Sequence, residues 1–268
     1  MGHSYQRWRS TQQPGYQLPD SLPGPDGWLV AEPVLHQPGR TGPTTWHELT
    51  TRPAFPPGQA SNHSLGADPL ARLVPVGLLH FSQPAQVADC AAQLAALTHG
   101  HAVAQVGAAW VAATMAYLVQ GQPLPEAGRL AALHLPPGTA ADAVRHALET
   151  ADTLLVKPKQ PHQADWWNLM RQRTTPAALL TAWYHAQRYA EQPAEALCQA
   201  ALHGSRQAAA LTGALLGASL GEAGWPPDWR TALDAGRVVI DVADDLCTRC
   251  KSSTFACDED WWQRYPGG

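Results

Sequence analysis

Histidine, whose pKa lies near working pH, is the side chain best suited to moving protons, and this chain carries 12 of them. Three stand where a helix is expected to begin: His99 and His101 in Thr98-His99-Gly100-His101, and His203 ahead of a second Ala-rich stretch. With Asp68 or Glu48 as a carboxylate partner, they are general acid–base candidates for metal-free chemistry on a small molecule. The plainer reading of a histidine at a helix start is a cap or a surface residue. No Gly-x-Ser-x-Gly elbow and no Gly-rich phosphate loop is found, so a covalent Ser or Cys nucleophile has no support. Cys247-x-x-Cys250 followed by Cys257 gathers three thiols, one short of the usual zinc set. Asp258 or a distant histidine would complete it; ordinary thiols at a helix end are the competing reading. Asp241 and Asp245 share one helix face with Asp244 nearby, a spacing compatible with a metal and equally with a solvated acidic face. Trp166-Trp167 and Trp261-Trp262 offer flat rings to a nucleobase, or dock irregular segments on a core.

The elements that must position these residues follow from composition and period. The 268 residues are 45% hydrophobic and 15% charged, a globular balance with an ample core. A formal charge of −4 and the absence of Lys/Arg runs argue against a nucleic-acid partner, because binding phosphates requires their neutralisation. The opening MGHSYQRWRSTQQPGYQ has no apolar core of a secretion signal, and the cysteine count of five is odd. Both features predict reduced thiols and a cytoplasmic location. Residues 102–119 are nearly free of charge and long enough to cross a bilayer, but no second span or basic flank accompanies them. The expected role is a buried central helix, with no membrane partner.

Ten of the 24 prolines fall in residues 1–60, which predicts an extended or irregular segment, with Gly27–Ala31 as a possible short strand. Further on, apolar residues recur at helical spacing. Helices are predicted over 84–98, 101–120, 125–133, 140–155, 176–191, 193–201, 206–221, 227–233 and 237–249, several opening on Pro or acidic residues and stopping at Gly. Alternating strand patterns are absent, so the fold class is all-α, a compact multi-helix bundle. The expected organisation is an N-terminal segment over 1–66, a helical domain over 67–250 and a tail over 251–268.

Two blocks carry a likeness to a known family. The first runs Leu70-Ala-Arg-Leu-Val-Pro-Val-Gly-Leu-Leu79, a helix over 88–96, then Leu97-Thr-His99 into a long Ala-rich helix. The second runs from Thr175 to Trp183, then Leu202-His-Gly-Ser-Arg-Gln-Ala208, an Ala-Gly-rich helix, and Trp225-Pro-Pro-Asp-Trp-Arg230. Together they resemble the ADP-ribosylglycohydrolase family over roughly residues 67–247, in order and in spacing. The resemblance implies an all-α fold of that type. It also implies a cleft in which two Mg-like ions, held by carboxylates and hydroxyls, orient ADP-ribose and activate the water that cleaves its glycosidic bond.

The departures fall on those ligands. The family's Gly-Gly-Asp-x-Asp-Thr loop corresponds to His203-Gly204-Ser205-Arg206-Gln207-Ala208, so both aspartates and the hydroxyl are replaced. The family's Thr-Asp-Asp-Thr step is missing; Trp46-His-Glu48-Leu-Thr50 is only a faint echo. The usual Asn-Gly before the Arg72 motif is Ala67-Asp68. Magnesium requires hard, preferably anionic oxygens, so neither a metal nor another cofactor is expected. The resemblance then implies a divergent member that binds an ADP-ribosyl- or nucleotide-like small molecule, or a partner, without the standard hydrolase activity. Arg72, Ser205, Arg206, Gln207, Trp46 and Glu48 are its ligand-binding candidates, with Arg206 replacing the charge of a lost metal ahead of a helix N-terminus. The alternative is a repurposed acid–base enzyme of a specialised pathway using His99, His101, His203 and Asp68.

Overall fold

A computed structural model describes residues 2–18, 27–37, 39, 41–52, 60–156, 164–251 and 259–266. Among these, helices make up the architecture, and strand pairing is limited to an isolated bridge between Gly66 and Thr174. The chain divides into two compact units: residues 1–58 with 227–268, and residues 59–226. This grouping differs from the three segments expected along the sequence, because the last helices share a unit with the N-terminal segment.

The 59–226 unit is organised around one apolar helix. Its elements are α3 (Asp68–Arg72), α4 (Val76–Leu79), α5 (Pro84–Ala96), α6 (Ala102–Val119), α7 (Leu124–Ala132), α8 (Thr139–Val156), α9 (Ala164–Met170), α10 (Thr175–Arg188), α11 (Pro193–His203) and α12 (Arg206–Leu220). Helix α6 packs against α3, α4, α5, α7, α8, α10 and α12, so every face meets protein and its composition has no polar side. It is the one helix among the described residues long and apolar enough to span a membrane, and most of it is buried within this unit. Its abundance of Ala and Gly allows neighbours to approach closely. A Cβ on Gly77 of α4 would lie 2.4 Å from the Ala112 carbonyl oxygen of α6, so only glycine fits that crossing.

An aromatic node ties four of these helices together. Trp110 of α6 is fully buried, donates Nε1–H to the Gly128 carbonyl of α7 at 3.0 Å, and meets Trp183 of α10 edge to face at 5.2 Å. Trp183 in turn donates to Asp152 of α8 at 2.9 Å. Each indole therefore buries its apolar body while its single donor is satisfied, the condition under which a large aromatic stabilises a core. Most helices begin where the sequence signals them, with Pro in the first turn of α5, α10 and α11. Helix α12 stops at Gly221, whose φ of +69° suits only glycine.

The other unit contains α1 (Gly2–Gln12), 3-10 turns at Trp28–Ala31 and Pro33–His36, α2 (Pro43–Thr51), α13 (Pro227–Thr231), α14 (Gly236–Lys251) and α15 (Glu259–Arg264). The N-terminal segment thus holds regular helices where an irregular chain was expected. The physical reason is the placement of its prolines. Pro33 and Pro43 sit in first turns, where the missing N–H has no helical partner to lose, and α1 precedes the first proline. Trp28–Ala31 forms a 3-10 turn, not a strand. Gln6 and Arg9 of α1 both donate to the Leu49 carbonyl in the last turn of α2, at 3.2 and 2.9 Å, satisfying a helix-end acceptor.

Candidate functional site

The first cluster assembles at the start of α12. Ser205 is its N-cap: the backbone is extended there, and Oγ accepts from the Ala208 N–H at 3.2 Å. Gln207 in the first turn donates Nε2–H to Asp68 Oδ1 at 2.7 Å, joining α12 to α3 across 139 positions of sequence. Arg206, on the same turn, is exposed. One turn beyond Asp68, Arg72 donates to Thr98 Oγ1 at 2.7 Å, and that hydroxyl lies 3.0 Å from His99 Nδ1. Asn62 closes the arrangement, donating to the Thr98 carbonyl at 3.0 Å and accepting from the Gly100 N–H at 3.2 Å.

His99 is fully buried against Gly66, and its Nε2 has no hydrogen-bond partner. Burial, helped by the positive Arg72, lowers its pKa from 6.5 to about 4, so the ring is neutral at pH 7. His101 occupies the other place foreseen for it: Nδ1 accepts from the Val103 N–H at 3.1 Å and caps α6. Asp68, Arg72, Ser205, Arg206 and Gln207 therefore lie on two facing elements, α3 and α12, which pack together, with His99 behind Arg72.

The second cluster surrounds His203 at the end of α11. Its ring rests on Trp167 of α9 with centroids 3.8 Å apart, and its Nδ1 lies 3.3 Å from Nε2 of His185. His185 is buried on α10, with Nδ1 2.7 Å from the Thr181 carbonyl one turn back. Tyr189 stacks on the same imidazole and Tyr184 meets it edge-on. Burial drives the His185 pKa down to about 4, against the opposing effect of the Thr181 bond. His203 is lowered more mildly, by burial first and by Arg171 second. His185 was missed in the sequence, since one histidine among apolar neighbours of a helix looks like any other core position. Trp167 was noticed only as half of a tandem pair.

Trp46, Glu48, Asp241 and Asp245 lie in the unit formed by residues 1–58 and 227–268. Trp46 meets Trp8 edge to face at 6.4 Å, and buried Glu48 pairs with Arg52 at 3.2 Å on the same helix. Asp241 faces Arg237 at 3.4 Å, while Asp245 accepts from Arg264 and from the Tyr265 hydroxyl, both at 2.6 Å. Cys247 and Cys250 lie on α14; Cys257 and Asp258 lie outside the described residues, as does the side chain of Trp166. No group of three or more His, Cys, Asp or Glu side chains able to hold a metal occurs among the described residues.

The sequence profile of the ADP-ribosylglycohydrolase family matches residues 1–254, and the chain belongs to that family. Among individual curated proteins, none matches it significantly. The donor set at the α12 loop does not fit the metal pair the family implies. Ser205 Oγ is engaged as the cap, the Gln207 amide nitrogen is turned toward Asp68, Ala208 has no donor, and Arg206 adds a positive charge. The chain is a divergent member.

Proposed function

We propose that this protein binds an ADP-ribosyl- or nucleotide-like small molecule beside the start of α12 without carrying out Mg-dependent hydrolysis. The observation that carries the reading is the Gln207–Asp68 hydrogen bond, a direct amide–carboxylate contact at a loop where the family places metal-binding carboxylates. Arg206 supports the choice of ligand. It sits at the first turn of a 15-residue helix whose N–H groups and dipole favour an anion, and its planar fork suits a phosphate.

Thermal melting with ADP-ribose, NAD and Mg tests this reading. A ligand bound by the native state alone at a hundred-fold excess over its Kd adds about 2.7 kcal/mol of stability. ADP-ribose is expected to raise Tm equally with and without Mg, and Arg206→Ala is expected to remove the shift. A shift that requires Mg would restore the metal-dependent reading. Turnover of an ADP-ribosyl substrate that Arg206→Ala abolishes would equally overturn the proposal.

A second reading, metal-free acid–base chemistry, is favoured by one specific arrangement: His203, half-buried and backed by buried His185. Absence of any shift with ADP-ribose, NAD or Mg would move the assignment there.

A further inference from the structure

We propose that His203 is a tautomer-locked proton acceptor, with His185 as the positioning residue that holds its proton on Nδ1 and leaves the Nε2 lone pair for a ligand. This inference deepens the acid–base reading and is independent of whether ADP-ribose binds.

The argument follows the hydrogen bonds outward from the core. A backbone carbonyl can only accept, so His185 Nδ1, 2.7 Å from the Thr181 oxygen, must carry a proton. His185 is buried without a counter-charge and stays neutral, so its Nε2 holds a lone pair. The group facing that lone pair at 3.3 Å is His203 Nδ1, which must therefore be the donor. In neutral His203 this leaves Nε2 unprotonated. The series carbonyl, buried histidine and half-buried histidine repeats the logic by which a catalytic base is held in one tautomer by a third group.

Two neighbours define what would approach. Trp167 covers one side of the His203 ring, and Arg171, whose N–H bonds the Trp167 carbonyl at 3.1 Å, brings a positive charge to the same turn of chain. The ligand class is a small anion bearing an acidic O–H or N–H group. The step is a proton transfer: the O–H or N–H bond of the ligand breaks, its electron pair stays on the ligand, and a new N–H bond forms at His203 Nε2. The resulting imidazolium keeps its Nδ1 hydrogen bond to neutral His185.

Nitrogen-15 NMR of the imidazoles, recorded on the full chain at pH 7 without ligand, reads the tautomers directly. The expected result is pyrrole-type Nδ1 and pyridine-type Nε2 on both His185 and His203. His185→Phe is expected to give mixed tautomers at His203. It should also slow the modification of His203 by diethyl pyrocarbonate several-fold. His185→Gln, whose amide oxygen still accepts from His203 Nδ1, is expected to restore both. A proton found on Nε2 of His203 in the unmodified protein overturns the proposal, whatever the variants do. So does an unchanged diethyl pyrocarbonate rate in a folded His185→Phe protein.

Discussion

At His99 and His185 the interior excludes the charged form of the ring, and both pKa values fall from 6.5 to about 4. Between those limits the unfolded chain binds protons that the native state refuses, so stability rises with pH across the window. The contribution is complete above pH 6.5 and is lost as pH falls toward 4, a drop that corresponds to about 3 kcal/mol at each site. Urea unfolding is therefore expected to show a lower midpoint at pH 5 than at pH 7, and an unchanged midpoint would contradict the burial argument. Residue chemistry was the least legible part of the sequence. Asp68 and Gln207 stood out through family resemblance, but nothing in the sequence announces a bond between positions so far apart. Nor did anything distinguish His99, whose ring is sealed in the interior, from His203, whose ring is half-exposed.

Helices, by contrast, were largely written in apolar period and punctuation. Those from α5 through α8 and from α10 through α14 lie within a few residues of where Pro starts, Gly stops and apolar spacing place them. The short ones, α3, α4, α9 and α15, escaped because one or two turns cannot display a period. Helices α1 and α2 escaped because a Pro-rich context reads as irregular even when each Pro occupies a first turn. Packing around α6 makes a sharp demand at this scale. Gly77→Ala would place its Cβ 2.4 Å from a backbone oxygen and 2.6 Å from Met115 Cβ, neither of which can swing away. A cost of about 1–3 kcal/mol is expected, as for other overpacked cores. It should appear as a lower urea midpoint with an unchanged slope. Wild-type stability in the variant would mean that α4 and α6 approach less closely than described.

Both apolar core clusters, and both candidate clusters of polar residues, belong to residues 59–226. That unit is continuous in sequence, whereas the other is assembled from two ends of the chain. A fragment spanning 59–226 is expected to remain helical and to melt cooperatively by circular dichroism, with its own core intact. Non-cooperative melting would show that the core depends on residues outside the unit. The same fragment also separates the two kinds of site residue. Trp46 and Glu48 are absent from it, so any ligand-induced rise in Tm that it retains is independent of them.

The Gln207–Asp68 bond bears on how this protein would change under mutation. Replacing Gln207 by an aspartate, one step toward the family's loop, sets a second carboxylate opposite Asp68. Two like charges at such a position oppose each other and raise a carboxyl pKa. The cation that would relieve them needs further oxygen ligands, which Ser205 as a cap and Ala208 do not supply. This one substitution thus meets a penalty while the other oxygen ligands are missing. A carboxylate at position 207 is therefore expected to be tolerated better in company with further oxygen donors at the same loop than alone.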